Sequence, residues 1–186
     1  MELVKIEIDQ FECRSGKLMI SDPCYKIGTW CQGVFNNVLT GKWNGWVYKT
    51  DDGDLGERCA EIHAYHESIK NPDSLDRIWV ANGDFVVGVD SGQAGIFDFA
   101  TFRDNALANE PGPESLIQDP DDKWYSNCCD ATLSEVGAGK VNEGVVSSSG
   151  YGDGSYEASY VCNNSGYIVA VKIVFIKKQQ EYPHLL

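Results

Sequence analysis

The sequence predicts an α+β fold: a mostly antiparallel β-sheet, built as a sandwich or a strongly curved sheet, with two or three short helices. Short runs rich in Val, Ile, Tyr and Trp recur along the chain between clusters of Gly, Pro, Asn and Asp, the pattern of strands joined by tight turns. Neighbouring runs lie close enough in sequence to be hairpin partners, which makes their pairing antiparallel. Strict alternation of strand and helix, the mark of a doubly wound sheet, is absent.

Residues 3–9 set Val4, Ile6 and Ile8 against Lys5, Glu7 and Asp9, a half-buried strand. A second strand over 17–20 stops at Ser21-Asp22-Pro23, because proline has no N–H for a ladder. Ile27, Trp30, Cys31, Val34, Val38 and Leu39 are spaced for one face of a helix that Gly41 ends. Residues 42–50 and 57–67 form a hairpin around Asp51-Asp52-Gly53-Asp54. Asn82-Gly83 predicts a second hairpin, between 77–81 and 85–90. Phe99, Phe102, Ala106 and Leu107 suggest a short helix broken at Pro111, and Trp124, Cys128 and Leu133 another within 121–136. Strands over 144–149 and 155–162 flank a Gly-rich loop, and Asn163-Asn164-Ser165-Gly166 turns into a last strand over 167–176. Residues 1–176 are expected to form a single α+β domain, with 177–186 a polar tail.

The chain of 186 residues is 42% hydrophobic and 23% charged, proportions of a folded globular protein. Its formal charge of −13 repels phosphate backbones and anionic membranes, which argues against general nucleic-acid or membrane binding. That charge fits solubility or an acidic surface offered to a basic partner. Residues 1–10 lack the apolar run of a signal peptide, and no stretch reaches the roughly 20 apolar residues of a membrane span. A cytoplasmic protein is expected. The seven cysteines contain no CxxC pair, so neither a zinc site nor a dithiol motif is read; most should be buried and reduced.

Three segments combine carboxylates or hydroxyls with Gly or Pro: Ser21-Asp22-Pro23-Cys24-Tyr25, residues 89–98 (VDSGQAGIFD) and residues 149–156 (SGYGDGSY). Each is either a turn whose Asp bonds nearby N–H groups or part of a common site, if the three meet in space. As a set, SDPCY, VDSGQAGIFD and GYGDGSYEA resemble a family of small bacterial and phage proteins described only as a domain of unknown function. The resemblance runs from about residue 15 to residue 175 and is nearest to phage-encoded members, through GTWC and AEIHAYHE. It implies a shared fold and a shared site but no established activity.

Enzyme templates fit poorly. A Cys24 nucleophile, its pKa lowered by a following helix, needs His63 or His66 as base, and these face opposite sides of a strand. HExxH, Walker A and EF-hand spacings are absent. No catalytic residue, cofactor or metal is assigned, and whether the protein is an enzyme stays open. The expected function is that of a noncatalytic phage-type accessory protein that binds a small polar molecule. Its concrete form is sequestration of a host nucleotide-derived immune signal, an anti-defence role. The expected contacts are Asp22, Cys24, Tyr25, Asp90, Ser91, Gln93, Asp98, Tyr151, Asp153, Ser155 and Tyr156, with Lys26, Arg103 or loop N–H groups supplying positive potential. Two alternatives stand beside it: an inhibitor that engages a basic host protein through 51–57 and 119–122, and a hydrolase using metal or Cys24. Oligomeric state is not legible.

Overall fold

β1 (Val4–Cys13) opens the chain as an edge strand, followed by the short β2 (Leu18–Ser21) and β3 (Gly33–Phe35), in a computed structural model that describes residues 2–75 and 78–177. β4 (Gly41–Asp51) and β5 (Glu57–His66) are the expected hairpin; Asp51 Oδ1 accepts the Gly53 N–H at 2.9 Å within the turn. Three short segments come next: β6 (Val80–Ala81), β7 (Val87–Val89) and β8 (Gln93–Asp98). α1 (Lys123–Thr132) precedes β9 (Ala138–Lys140), β10 (Gly144–Ser148), β11 (Gly154–Cys162) and β12 (Ile168–Val174).

Among the described residues these strands form two sheets, with antiparallel pairing throughout both. One runs β1-β4-β5-β12-β11-β6, with β7 also on β11; the other runs β3-β2-β8-β10-β9. Their inner faces share one core, in which Trp43, Ile62, Val171 and Ile173 of the first sheet meet Ile20, Ile96 and Val145 of the second. Gly45 makes the close approach possible: a Cβ there would lie 2.5 Å from Val145 Cγ1. The outer face of the second sheet is covered in turn, as Met19, Phe97 and Val146 pack against Phe102, Trp124 and Cys128. The order of layers is sheet, sheet, helix.

The mostly antiparallel α+β expectation stands, with corrections. One α-helix and three 3-10 turns replace the two or three short helices among the described residues. The helix read over 27–39 is instead a run of turns leading into β3. Its apolar spacing was coincidental, since Ile27 and Trp30 are 57% and 83% exposed. The helix from Phe99 reduces to the 3-10 turn Phe99–Thr101 followed by irregular chain. Asn82-Gly83 does not close a hairpin, because β6 and β7 each pair with β11. β10 and β11 both exist but belong to different sheets, so the Gly-rich bend between them crosses from one layer to the other. Most of the polar tail lies outside the described residues.

Candidate functional site

The three motif segments meet at one end of the second sheet, and strand pairing explains how. β2 pairs with β8 so that Ser21 stands opposite Gly95, which leaves Asp22 beside the turn that enters β8. β7 pairs with β11 so that Val89 stands opposite Gly154, which brings Asp153 to the same turn. Asp22 is fully buried. Its Oδ1 accepts the Cys24 N–H at 2.8 Å and the Ser91 hydroxyl at 2.6 Å, and its Oδ2 accepts the N–H groups of Asp90 and Ser91, both at 2.8 Å. Asp153 Oδ1 accepts the Gly92 N–H at 3.0 Å, while the Gly92 carbonyl accepts from Ser149 N at 3.0 Å. Gly92 adopts φ +68°, a conformation that glycine takes without Cβ strain, and so serves both neighbours. At the rim the Tyr25 hydroxyl donates to Asp90 Oδ2 at 2.7 Å. Burial first, then that hydrogen bond, push the Tyr25 phenol up.

Convergence engages both oxygens of Asp22 and one of exposed Asp153 with donors of the neighbouring loops, chiefly backbone N–H groups. Both are fasteners between loops. Tyr156 is another: its hydroxyl donates to the carbonyls of Ser149 and Gly152 at 3.0 and 2.6 Å, and its ring stands edge-on to Phe175. Ser155 is exposed on β11 opposite Gly88, and Tyr151 is exposed with its hydroxyl donating to Asp52 Oδ2 at 2.8 Å. Asp98 does not join the group. It sits at the far end of β8, where Oδ1 accepts from the N–H and hydroxyl of Ser15 at 3.1 and 2.5 Å. There burial, with the Asp98 charge second, pushes the Cys13 thiol up to about 12.

The Cys24 dyad does not assemble. No helix follows Cys24 to lower its pKa; burial, then its hydrogen bond and charge contact with Asp22, push the thiol up to about 12. His63 engages Glu61 at 2.6 Å and the Tyr65 hydroxyl at 2.5 Å, and His66 engages Ser68 at 2.8 Å and the Thr40 carbonyl at 3.1 Å. Both ring nitrogens of each are thus occupied on the first sheet. A thiol at about 12 is thiolate in roughly one molecule in ten thousand at pH 8. Alkylation with iodoacetamide at that pH, followed by peptide mass spectrometry, is therefore expected to label exposed Cys162 while Cys24 stays unmodified. Equal labelling of the two would show the Asp22 surroundings to be wrong. Arg103 is not available as a local cation either: Nη1 donates to the Pro23 carbonyl at 2.5 Å and Nη2 pairs with Asp122, tying the first motif to the start of α1.

Beside the knot lies a hollow of about 460 Å³, where Ser91 and Gln93 of the second motif face Tyr125 and Cys129 of α1, with Leu116 and Leu133 at its rim. Gln93 is 5% exposed; its Nε2 donates to Cys129 Sγ at 3.4 Å, and its Oε1 is buried without a hydrogen-bond partner. Burial pushes the Tyr125 phenol up to about 12, so it remains a neutral hydroxyl. Tyr125, Cys129 and Leu133 are absent from the sequence-derived contacts. The helical spacing of 125, 129 and 133 puts them on one face of α1 and was the available signal. A second hollow, of about 340 Å³, adjoins the first through Gly92 and Ser148 and includes Tyr151. Among the described residues no group of three or more His, Cys, Asp or Glu side chains is placed to hold a metal, and no helix is long and apolar enough to cross a membrane.

The chain finds no match among curated proteins or solved structures. A family model described as a protein of unknown function (DUF4241) matches residues 11–173, a span that takes in the knot and both hollows, and the chain belongs to that family.

Proposed function

We propose that the protein is a noncatalytic binding protein whose hollow between the 91–93 turn and α1 holds a small polar molecule. The Gln93 amide carries this reading. A buried polar atom without a partner costs about 1–3 kcal/mol, and a ligand N–H donated to Oε1 would remove that cost. The hollow's volume of about 460 Å³ falls in the range typical of small-molecule sites. Leu116 and Leu133, 77% and 63% exposed at its rim, offer apolar surface for a ligand to cover. The Tyr125 hydroxyl and the Gln93 amide give both donor and acceptor capacity, suited to the edge of a heterocyclic base.

The resemblance to phage-encoded proteins supplies the biological form of the proposal: sequestration of a host nucleotide-derived immune signal in the cytoplasm of an infected cell. Sequestration needs affinity and no chemistry, in keeping with a site of hydroxyl, amide and thiol groups. The acidic-inhibitor reading has less to rest on, because three of the four acids of 51–57 are engaged at home: Asp51 caps Gly53, Asp52 accepts from Tyr151 and Glu57 pairs with Lys49, which leaves exposed Asp54.

Thermal-shift titration of the protein with nucleosides and nucleotides, together with mass spectrometry of small molecules released on denaturation, tests the proposal. A ligand from either source is expected to raise the melting temperature of the wild type, and Gln93→Leu is expected to weaken it about tenfold, the equivalent of one lost hydrogen bond of about 1.4 kcal/mol. Unchanged affinity in Gln93→Leu, or no released molecule and no shift across the panel, would discard this site.

A further inference from the structure

The adjoining hollow contains two cations in a chain where 28 acidic residues outnumber 15 Lys and Arg. Lys49 is 8% exposed; its Nζ meets Glu57 Oε2 at 2.9 Å and donates to the Glu135 carbonyl at 3.4 Å, which leaves one of its three N–H groups over. Arg58 stands on β5 opposite Thr50, the neighbour of Lys49 on β4. Its Nε is buried without a hydrogen-bond partner, and among the described residues no carboxylate lies within ion-pair distance of its guanidinium. With so many acids available, an unpaired arginine beside a hollow is a vacant fork. Its planar array of donors matches the oxygens of phosphate or carboxylate. Two acids also border the hollow: Glu57, already paired with Lys49, and Glu135, exposed at the rim. Glu57 offsets Lys49, and Glu135, though at the rim, lies outside ion-pair distance of Arg58, so the guanidinium keeps its fork open.

We propose that this second hollow is an anion subsite in which Arg58, assisted by Lys49, takes the phosphate or carboxylate of the molecule whose neutral part lies against Gln93. The inference rests on the first hollow being the binding site, and Gly92 and Ser148, which line both, set the two side by side. The subsite also offers a guanidinium free of a carboxylate partner to an anionic ligand on so acidic a protein, the part that Arg103 cannot play.

Inorganic phosphate, pyrophosphate and citrate, each titrated at constant ionic strength against chloride and followed by thermal shift, test the subsite directly. At least one of the three is expected to raise the wild-type melting temperature beyond the chloride control. Arg58→Gln should weaken that anion about tenfold, and Arg58→Lys should weaken it less. A response to phosphate alone or to citrate alone assigns the acidic group. No anion-specific shift in the wild type, or equal shifts in Arg58→Gln and wild type, overturns the subsite. Adenosine serves as the parallel probe of the first hollow. If adenosine binds in a Gln93-dependent way while the anions fail, only the subsite falls; if the anions bind through Arg58 while neither adenosine nor AMP depends on Gln93, the first hollow falls instead.

Discussion

Asp22→Ala is expected to lower the unfolding free energy by about 4 kcal/mol, because it deprives three backbone N–H groups and one hydroxyl of their common acceptor at a site sealed from solvent. Each buried donor left without a partner costs about 1–3 kcal/mol, and hydrogen bonds to a charged acceptor lie at the upper end of that range. Water entering the space left by the carboxylate recovers part of the sum. Asp22→Asn keeps one accepting oxygen but turns an NH₂ toward the N–H groups on the other side, so its cost should be roughly half as large. Urea unfolding followed by fluorescence gives both values. Amide exchange at Asp90 and Ser91 should quicken in both variants while the centre of β12 stays protected. A loss below about 1 kcal/mol in Asp22→Ala would show that the knot does not fasten the three segments.

Trp124→Ala is the second large effect, about 3–5 kcal/mol by the usual cost of emptying an aromatic site in a packed layer. Trp124 is fully buried, its ring centroid is 5.2 Å from Phe97 and 5.1 Å from Phe102, and the Arg103 guanidinium lies 5.6 Å from the ring. Trp124→Phe gives the discriminating comparison. It keeps a ring against Phe97 and Phe102 and removes an indole N–H that is buried without a partner, so its loss should stay below about 2 kcal/mol. Denaturant unfolding of the two variants measures the difference. Equal losses would mean that the indole N–H has a partner after all or that Phe cannot reach the neighbouring rings.

Local pairing was legible where a strand met its sequence neighbour. The β4–β5 and β11–β12 hairpins follow from turn residues at 51–54 and 163–166, and α1 follows from the spacing of Trp124 and Cys128. Pairing between distant segments was not. Val80 and Val87 look like two arms of one hairpin, yet each finds its partner on β11, more than sixty residues downstream. The second motif read as a loop because Gln93, Ala94 and Gly95 are poor strand formers. It is nonetheless β8, buried at every position, since a sheet covered on both faces loses the alternation that marks a strand. The same limit applied to the site. Carboxylates beside Gly or Pro drew attention to Asp22 and Asp153, which turn out to fasten loops, Asp22 with both oxygens and Asp153 with one, while the amide of Gln93 and the guanidinium of Arg58 gave no sign in sequence of being left over.

The contact between Gly45 and Val145 sets how closely the two layers of strands can approach. The two sheets are in van der Waals contact at that point, so any side chain larger than hydrogen at position 45 would have to part them. On the helix-bearing side the rim residues Leu116 and Leu133 stand exposed and can be exchanged without disturbing the interior. Under the proposed function, a change of ligand would need only that outer margin redrawn while the bilayer of strands stays the same.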